Sequence, residues 1–215
     1  MIEAVILSLE VASLATMLST GLALGLGVML AHRRLMILEA VLLTPLVLPP
    51  TVLGYFLLVM LGRNSSLGEA WQAVFGSPLV FSRIGIVLAA VVTSLPLVLQ
   101  STRAAIEGVD TTLIQAARTL GAGPWSTFFR VTLPLASRGI AAGVVLGFAR
   151  ALGDFGVTLM VGGNLSGETR TASLAIFDAF LGDRPAEALQ LSMMMAGLAI
   201  VLVSIATLLA RRPHV

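Results

Sequence analysis

Gln115-Ala116-Ala117-Arg118-Thr119-Leu120-Gly121, followed by Ala122-Gly123-Pro124-Trp125 and closing at Val131-Thr132-Leu133-Pro134, is a polar, arginine-bearing stretch inside an otherwise apolar chain. Its local chemistry predicts two short helices. Asp110, Thr111 or Thr112 supplies a side-chain oxygen to cap the first, and Thr112 with Gln115 has the spacing of a capping box. Ala116, Ala117, Arg118 and Leu120 favour helix, and Gly121 is free to adopt the left-handed conformation that ends one. Pro124 suits the first turn of the second helix, where its missing N–H would have had no partner. Trp125, Phe128 and Phe129 recur at helical spacing and give that helix an aromatic face. Pro134 is expected to stop it.

The rest of the chain says where such a stretch sits. Hydrophobic residues make up 57% and charged residues 11% of the sequence, and the mean hydropathy is +1.00; a soluble domain carries about a quarter charged residues. This is the composition of an all-α integral membrane protein, read as a single transmembrane domain over 1–215. Five segments are long enough for the roughly twenty residues that cross a bilayer, near 5–31, 38–61, 84–102, 139–161 and 188–210. In hydrocarbon each must close its backbone hydrogen bonds internally, so each is expected to be a helix. The first has no basic leader, carrying Glu3 and Glu10 instead, and is expected to be retained as a span.

All thirteen basic residues are arginine. Arg33, Arg34, Arg103, Arg118, Arg130, Arg138, Arg211 and Arg212 fall on one side of the five-span arrangement, and Arg63, Arg83, Arg170 and Arg184 on the other. The positive-inside bias makes the larger set cytoplasmic, which places the N-terminus outside, the C-terminus in the cytosol and the loop 107–134 in the cytosol. The pI of 10.4 reflects these membrane-edge arginines; no basic run exceeds a pair, so a nucleic-acid surface is not indicated.

Several chemistries are excluded. There is no cysteine, hence no disulfide, zinc-thiolate site or thiol nucleophile. Without lysine there is no Walker loop. The two histidines, His32 and His214, lie at expected membrane edges, so neither a metalloprotease helix nor a Ser-His-Asp triad can assemble in the interior. No metal site is expected, and the chain reads as a non-enzyme subunit.

The spacing Gln115-Ala-Ala, three residues, Gly121, nine residues, Val131, one residue, Leu133-Pro134 resembles the cytoplasmic coupling loop of ABC importer permeases, with Gln115 in place of the family's Glu and Val131 in place of its Ile. That resemblance implies ATPase-coupling roles for Gln115, Ala116, Ala117, Arg118, Gly121, Ala122, Pro124 and Trp125, docked in a groove on a separate nucleotide-binding subunit. An amphipathic helix lying on the membrane surface is the competing reading of the same residues. Pro45-Leu-Val-Leu-Pro49-Pro50-Thr51-Val-Leu-Gly54 is similar to the matching segment of molybdate-type permeases. Three prolines within one span make a bent helix that either lines a pathway, through Pro49, Pro50 and Thr51, or serves packing alone.

Arg150-Ala-Leu-Gly-Asp154-Phe-Gly156 resembles a string in oxyanion permeases. The i, i+4 spacing lets Arg150 and Asp154 pair; they are either pathway residues or a structural pair that orients helices. Gly21-x-x-x-Gly25 reads as ordinary helix packing, and Pro96 as a kink. An apolar segment from Ala172 to Leu181, too short to span, is expected to be a re-entrant or interfacial helix on the outer side, or else a solvated loop.

The resemblance implies a homodimer in the cytoplasmic (inner) membrane that passes an oxyanion, molybdate foremost, by alternating access. An external oxyanion-binding protein would deliver it. ATP and Mg would sit on cytoplasmic ATPase subunits, with no cofactor on this chain. A sulfate, phosphate or thiamine permease would share the coupling loop. An ion-coupled secondary transporter would use discontinuous helices in matched halves, and a purely structural subunit would need no cytoplasmic knob.

Overall fold

The computed structural model describes residues 2–32 and 35–210, excepting the side chains of Ala31 and His32. Arg33, Arg34, Arg211, Arg212 and His214, used above to assign sidedness or exclude chemistry, lie outside the described residues, as does the His32 side chain. The described chain is helical without strands: α1 (Ile2–His32), α2 (Met36–Val47), α3 (Pro50–Leu61), α4 (Ser66–Phe75), α5 (Arg83–Glu107), α6 (Thr111–Thr119), α7 (Pro124–Thr127), a π turn (Phe128–Thr132), α8 (Leu133–Leu152), α9 (Gly156–Gly162), α10 (Ala172–Leu181) and α11 (Pro185–Ala210). Four helical runs are long and apolar enough to cross a membrane, or five if the bent pair α2 and α3 counts as one.

The bundle is organised on α5, which packs against both α1 and α8, themselves in contact, while α11 packs on α8. Small residues set the α5–α8 distance. A Cβ on Gly139, Gly143 or Gly147 would fall 2.7 Å from the Ala105 Cβ, 2.3 Å from the Ser101 Cβ and 2.3 Å from the Val98 Cγ2 respectively. Glycine at i, i+4 and i+8 thus lets the two backbones approach closely, the usual device where lipid removes any hydrophobic drive between helices. Gly21 and Gly25, expected to serve that purpose, do not: a Cβ on either meets nothing within 4 Å.

The single helix expected over 38–61 is two helices turned through 118°, far beyond a proline kink. Leu48 (ψ 139°) precedes Pro49, and Pro49 (ψ 136°) precedes Pro50. Each proline disfavours helical geometry in the residue before it, so two extended residues occur in succession and the chain swings away. Pro50 then begins α3 without needing an N–H. By contrast α5 continues through Pro96.

The span expected over 139–161 also breaks, at Gly153 to Phe155, after which α9 restarts. Its lower end begins earlier than expected. Pro134 does not stop the helix; it stands in the first turn of α8, and the preceding π turn carries the Leu133 N–H to the Phe128 carbonyl. Widening the ladder there relieves the clash that a proline ring makes with the carbonyl one α-turn back. The run from Pro124 to Leu152 is therefore nearly continuous. A further helix, α4, was not expected from the sequence; it is capped by the Ser65 hydroxyl, which accepts from the Gly68 N–H at 2.9 Å, and ends at Gly76 in the left-handed conformation (φ +70°).

The segment expected to be a short helix from Ala172 to Leu181 is α10. It is tied to α1 by the Ala172 N–H donating to Ser8 Oγ at 2.7 Å. Three of the arginines grouped together by sequence gather at one end. Arg83 lies 3.8 Å from Glu10 of α1 and lines with Arg170 and Arg184 a cavity of about 460 Å³. At the other end, Gly27 of α1 adjoins Thr102 and Arg103 of α5.

Candidate functional site

Two regions concentrate the residues singled out by sequence. In the first, Asp110 caps α6, its Oδ1 accepting from the Thr112 N–H at 2.8 Å. The Thr112 backbone N–H and then its hydroxyl hold the Asp110 carboxyl below the usual carboxylate range, since both favour the charged form. Asp110 is the cap among the three alternatives. Helix α6 closes by the pattern in which the Gly121 N–H donates to Arg118 O (3.0 Å) and the Ala122 N–H to Ala117 O (3.1 Å), with Gly121 at φ +86°. These two bonds satisfy carbonyls that every helix end leaves orphaned.

Pro124 opens α7 after Gly123. The two short helices form an exposed knob on which Leu113, Leu120, Trp125 and Phe129 present apolar surface, Leu120 being 88% and Trp125 74% exposed. Trp125 and Phe129 stack with centroids 6.2 Å apart. Phe128 does not share that outward face; it turns inward against Ile106, Val109 and Ile140, because successive helical residues point about 100° apart. Gln115, Ala116, Arg118, Gly121, Pro124 and Trp125 are exposed, and Ala117 and Ala122 half-buried.

In the second region the two helix breaks meet. A Cβ on Gly156 would fall 2.8 Å from the Pro50 Cβ, and one on Gly54 would fall 2.9 Å from the Met160 Cβ, so α3 and α9 cross on glycine. Pro49, Pro50 and Thr51 are exposed. Arg150, at the end of α8, donates to Asp154 Oδ1 at 3.1 Å, with side-chain exposures of 30% and 1%. The other carboxylate oxygen accepts from the Thr158 N–H (3.0 Å) and hydroxyl (2.7 Å), and the Asp154 carbonyl accepts from Ser173 Oγ at 2.7 Å. Asp154 therefore ends one helix, starts the next and anchors α10, while its charge is matched by Arg150. The pairing expected at i, i+4 is present, although Asp154 lies in the break rather than on a continuous helix.

Some polar contacts were not foreseen. Arg103 donates through Nη1 to Glu39 of α2 and through Nε to Glu107 at 2.7 Å. Arg170 and Arg184 both reach Asp178 (3.2 and 2.9 Å), and Arg184 also reaches Glu187 (2.6 Å). The i, i+4 spacing of Arg103 with Glu107 and the i, i+3 spacing of Arg184 with Glu187 were available signals. Nothing in the sequence links Glu39 to Arg103. Among the described residues no group of three or more His, Asp or Glu could hold a metal ion.

Solved structures share this architecture. The chain aligns over 98% of its length with 78% of a chain in a bacterial alginate ABC transporter in complex with an alginate pentasaccharide-bound periplasmic protein, with a TM-score of 0.75 at 17% identity. Residues 18–215 match the model of the binding-protein-dependent transport system inner membrane component, and the chain belongs to that family. It is 48% identical over 178 residues to the molybdenum transport system permease protein ModB of Escherichia coli K12, covering 81% of this chain and 78% of that one. Against the sulfate transport system permease protein CysT of the same strain it is 35% identical over 176 residues, 81% of this chain and 63% of that one. The chain is thus a permease subunit of an ABC importer, a multi-pass inner-membrane protein and a non-catalytic member of its complex.

Proposed function

We propose that this permease passes molybdate through a pathway on the two-fold axis of a homodimer, driven by two cytosolic ATPase subunits and supplied by one external oxyanion-binding protein. The observation that carries the mechanism is the exposed α6–α7 knob, which offers apolar side chains and Arg118 while being fused through the π turn to the transmembrane helix α8. The assignment of cargo rests on the resemblance to the molybdenum permease. The end bearing Arg103, Arg118, Arg130 and Arg138 is the cytosolic one, in keeping with the positive-inside bias. The N-terminus is then external and the C-terminus cytosolic.

In this scheme ATP and Mg bind the ATPase subunits, whose closure moves the knobs. Gln115, Ala116, Arg118, Gly121, Pro124 and Trp125 lie on the docking surface, and Ala117 and Ala122 support it from beneath. The displacement reaches the meeting point of the two helix breaks, where Pro49, Pro50 and Thr51 border the route. Arg150 and Asp154 act there as a joint: a matched pair leaves little net charge to hold a passing dianion. Hydrolysis resets the pore inward.

The test is uptake into proteoliposomes holding the permease with its ATPase and binding protein. ATP-dependent molybdate uptake that needs all three components is the expected result. Uptake driven by an ion gradient without nucleotide, or a preference for sulfate over molybdate, would overturn the mechanism or the cargo respectively.

A further inference from the structure

We infer that Arg103 is a positioning residue of the transport cycle, a strut that makes the half-helix α2 follow the coupling segment. The inference rests on the importer reading above.

Helix α2 is poorly anchored. None of its twelve residues is buried, and its apolar hold on the bundle comes from Leu38 and Leu42 against Ala23, Leu30, Val98 and Leu99. The 118° turn after Val47 sends α3 off to pack on α9, so α3 cannot fix the direction of α2. The polar tie is the Glu39 carboxylate on the Arg103 guanidinium. The same guanidinium holds Glu107, the last residue of α5, three positions before the Asp110 cap of α6. One planar group thus bridges the half-helix and the root of the knob, using separate nitrogens for each carboxylate, which a lysine could not do in fixed geometry. The side chains of Arg103 and Glu39 are 27% and 34% exposed, so water screens the pair only in part. Removing Arg103 would leave two carboxylates facing each other.

If the pair is a strut, what matters is the link between α2 and α5 and not the charges themselves. The chain has no cysteine, so the link can be replaced directly. Glu39→Cys combined with Arg103→Cys is reconstituted with the ATPase and binding protein. Complex assembly, ATP hydrolysis and molybdate uptake are measured with the thiols reduced, then bridged by a short bifunctional thiol reagent. The expected result is an assembled complex that hydrolyses ATP but loses about five-fold or more in uptake per ATP, and regains near wild-type uptake once bridged. Glu39→Gln alone should give a smaller loss of the same kind.

Confirmed bridging without recovery would overturn the inference, as would a fall in uptake and hydrolysis by the same factor in Glu39→Gln. Wild-type protein that shows no ATP-driven molybdate uptake refutes the functional reading itself. Wild-type uptake with variants indistinguishable from it refutes only the strut.

Discussion

Where Glu10 meets Arg83, the arginines Arg83, Arg170 and Arg184 are each held by carboxylates of the same chain. At the opposite end Arg118, Arg130 and Arg138 form no ion pair among the described residues, and beside them Leu113, Leu120, Trp125 and Phe129 stand exposed. The first end matches these three arginines internally, while Arg63, Glu168 and Asp183 there form no ion pair among the described residues. The second combines unmatched positive charge with aromatic surface, the composition that gains most from a partner. The knob end thus presents the combination of unpaired positive charge and exposed aromatic surface that a docking partner would cover.

That contrast can be broken most directly at Gly121. Replacing it by proline forces φ from +86° to about −65° and removes the N–H that closes α6 on Arg118. ATPase co-purification and uptake should drop by about ten-fold or more, while cysteine-accessibility labelling shows the spans inserted as before. Unchanged capture would remove the functional distinction between the ends. Next in size is the joint between them. Asp154→Ala strips partners from Arg150, the Thr158 N–H and the Thr158 hydroxyl at once, and should lower stability by about 2–4 kcal/mol in thermal unfolding of the detergent-solubilised protein. Asp154→Asn, which keeps an acceptor for Thr158, should cost less.

At the end bearing Arg83, Arg184→Gln removes an exposed pair whose Asp178 partner still has Arg170. A change of no more than about 1 kcal/mol and near-normal uptake are expected; a large transport defect would show that this end too is waiting for a partner. The smallest effect is at Asp110. Its folded pKa lies below the ordinary 3.8, so the cap is fully present above that value and is lost as pH falls through the lowered one. Amide exchange at Thr112 should accelerate, relative to its intrinsic rate, only below pH 3.8, and Asp110→Asn should flatten that dependence.

The knob was legible in the sequence because its determinants are local: Asp110 one residue before a helix, Gly121 at its left-handed end and Pro124 at a first turn each act within a few residues. Other features depended on long-range partners. The stripe Gly139, Gly143 and Gly147 has the same spacing as Gly21 and Gly25, yet only the former meets a neighbour, and spacing alone does not say which helix lies opposite. Pro49 and Pro50 foretold a disturbance, but whether the chain kinks or swings through 118° depends on α3 finding Gly156 of α9. Pro134 read as a stop because a register shift upstream is invisible in residue types. The contact of Glu39 with Arg103 spans 64 positions and needed the fold.

The π turn also has a mechanical corollary. Because it lets the helix run on past Pro134, Trp125 and Leu152 sit at the two tips of one 29-residue shaft, about 43 Å long at the α-helical rise, so a swing of only about 10° about one tip carries the other through about 7.5 Å. Such a shaft needs no intervening hinge: a small rotation about a point near Trp125 carries the tip beside Asp154 farther than the width of a tetrahedral oxyanion.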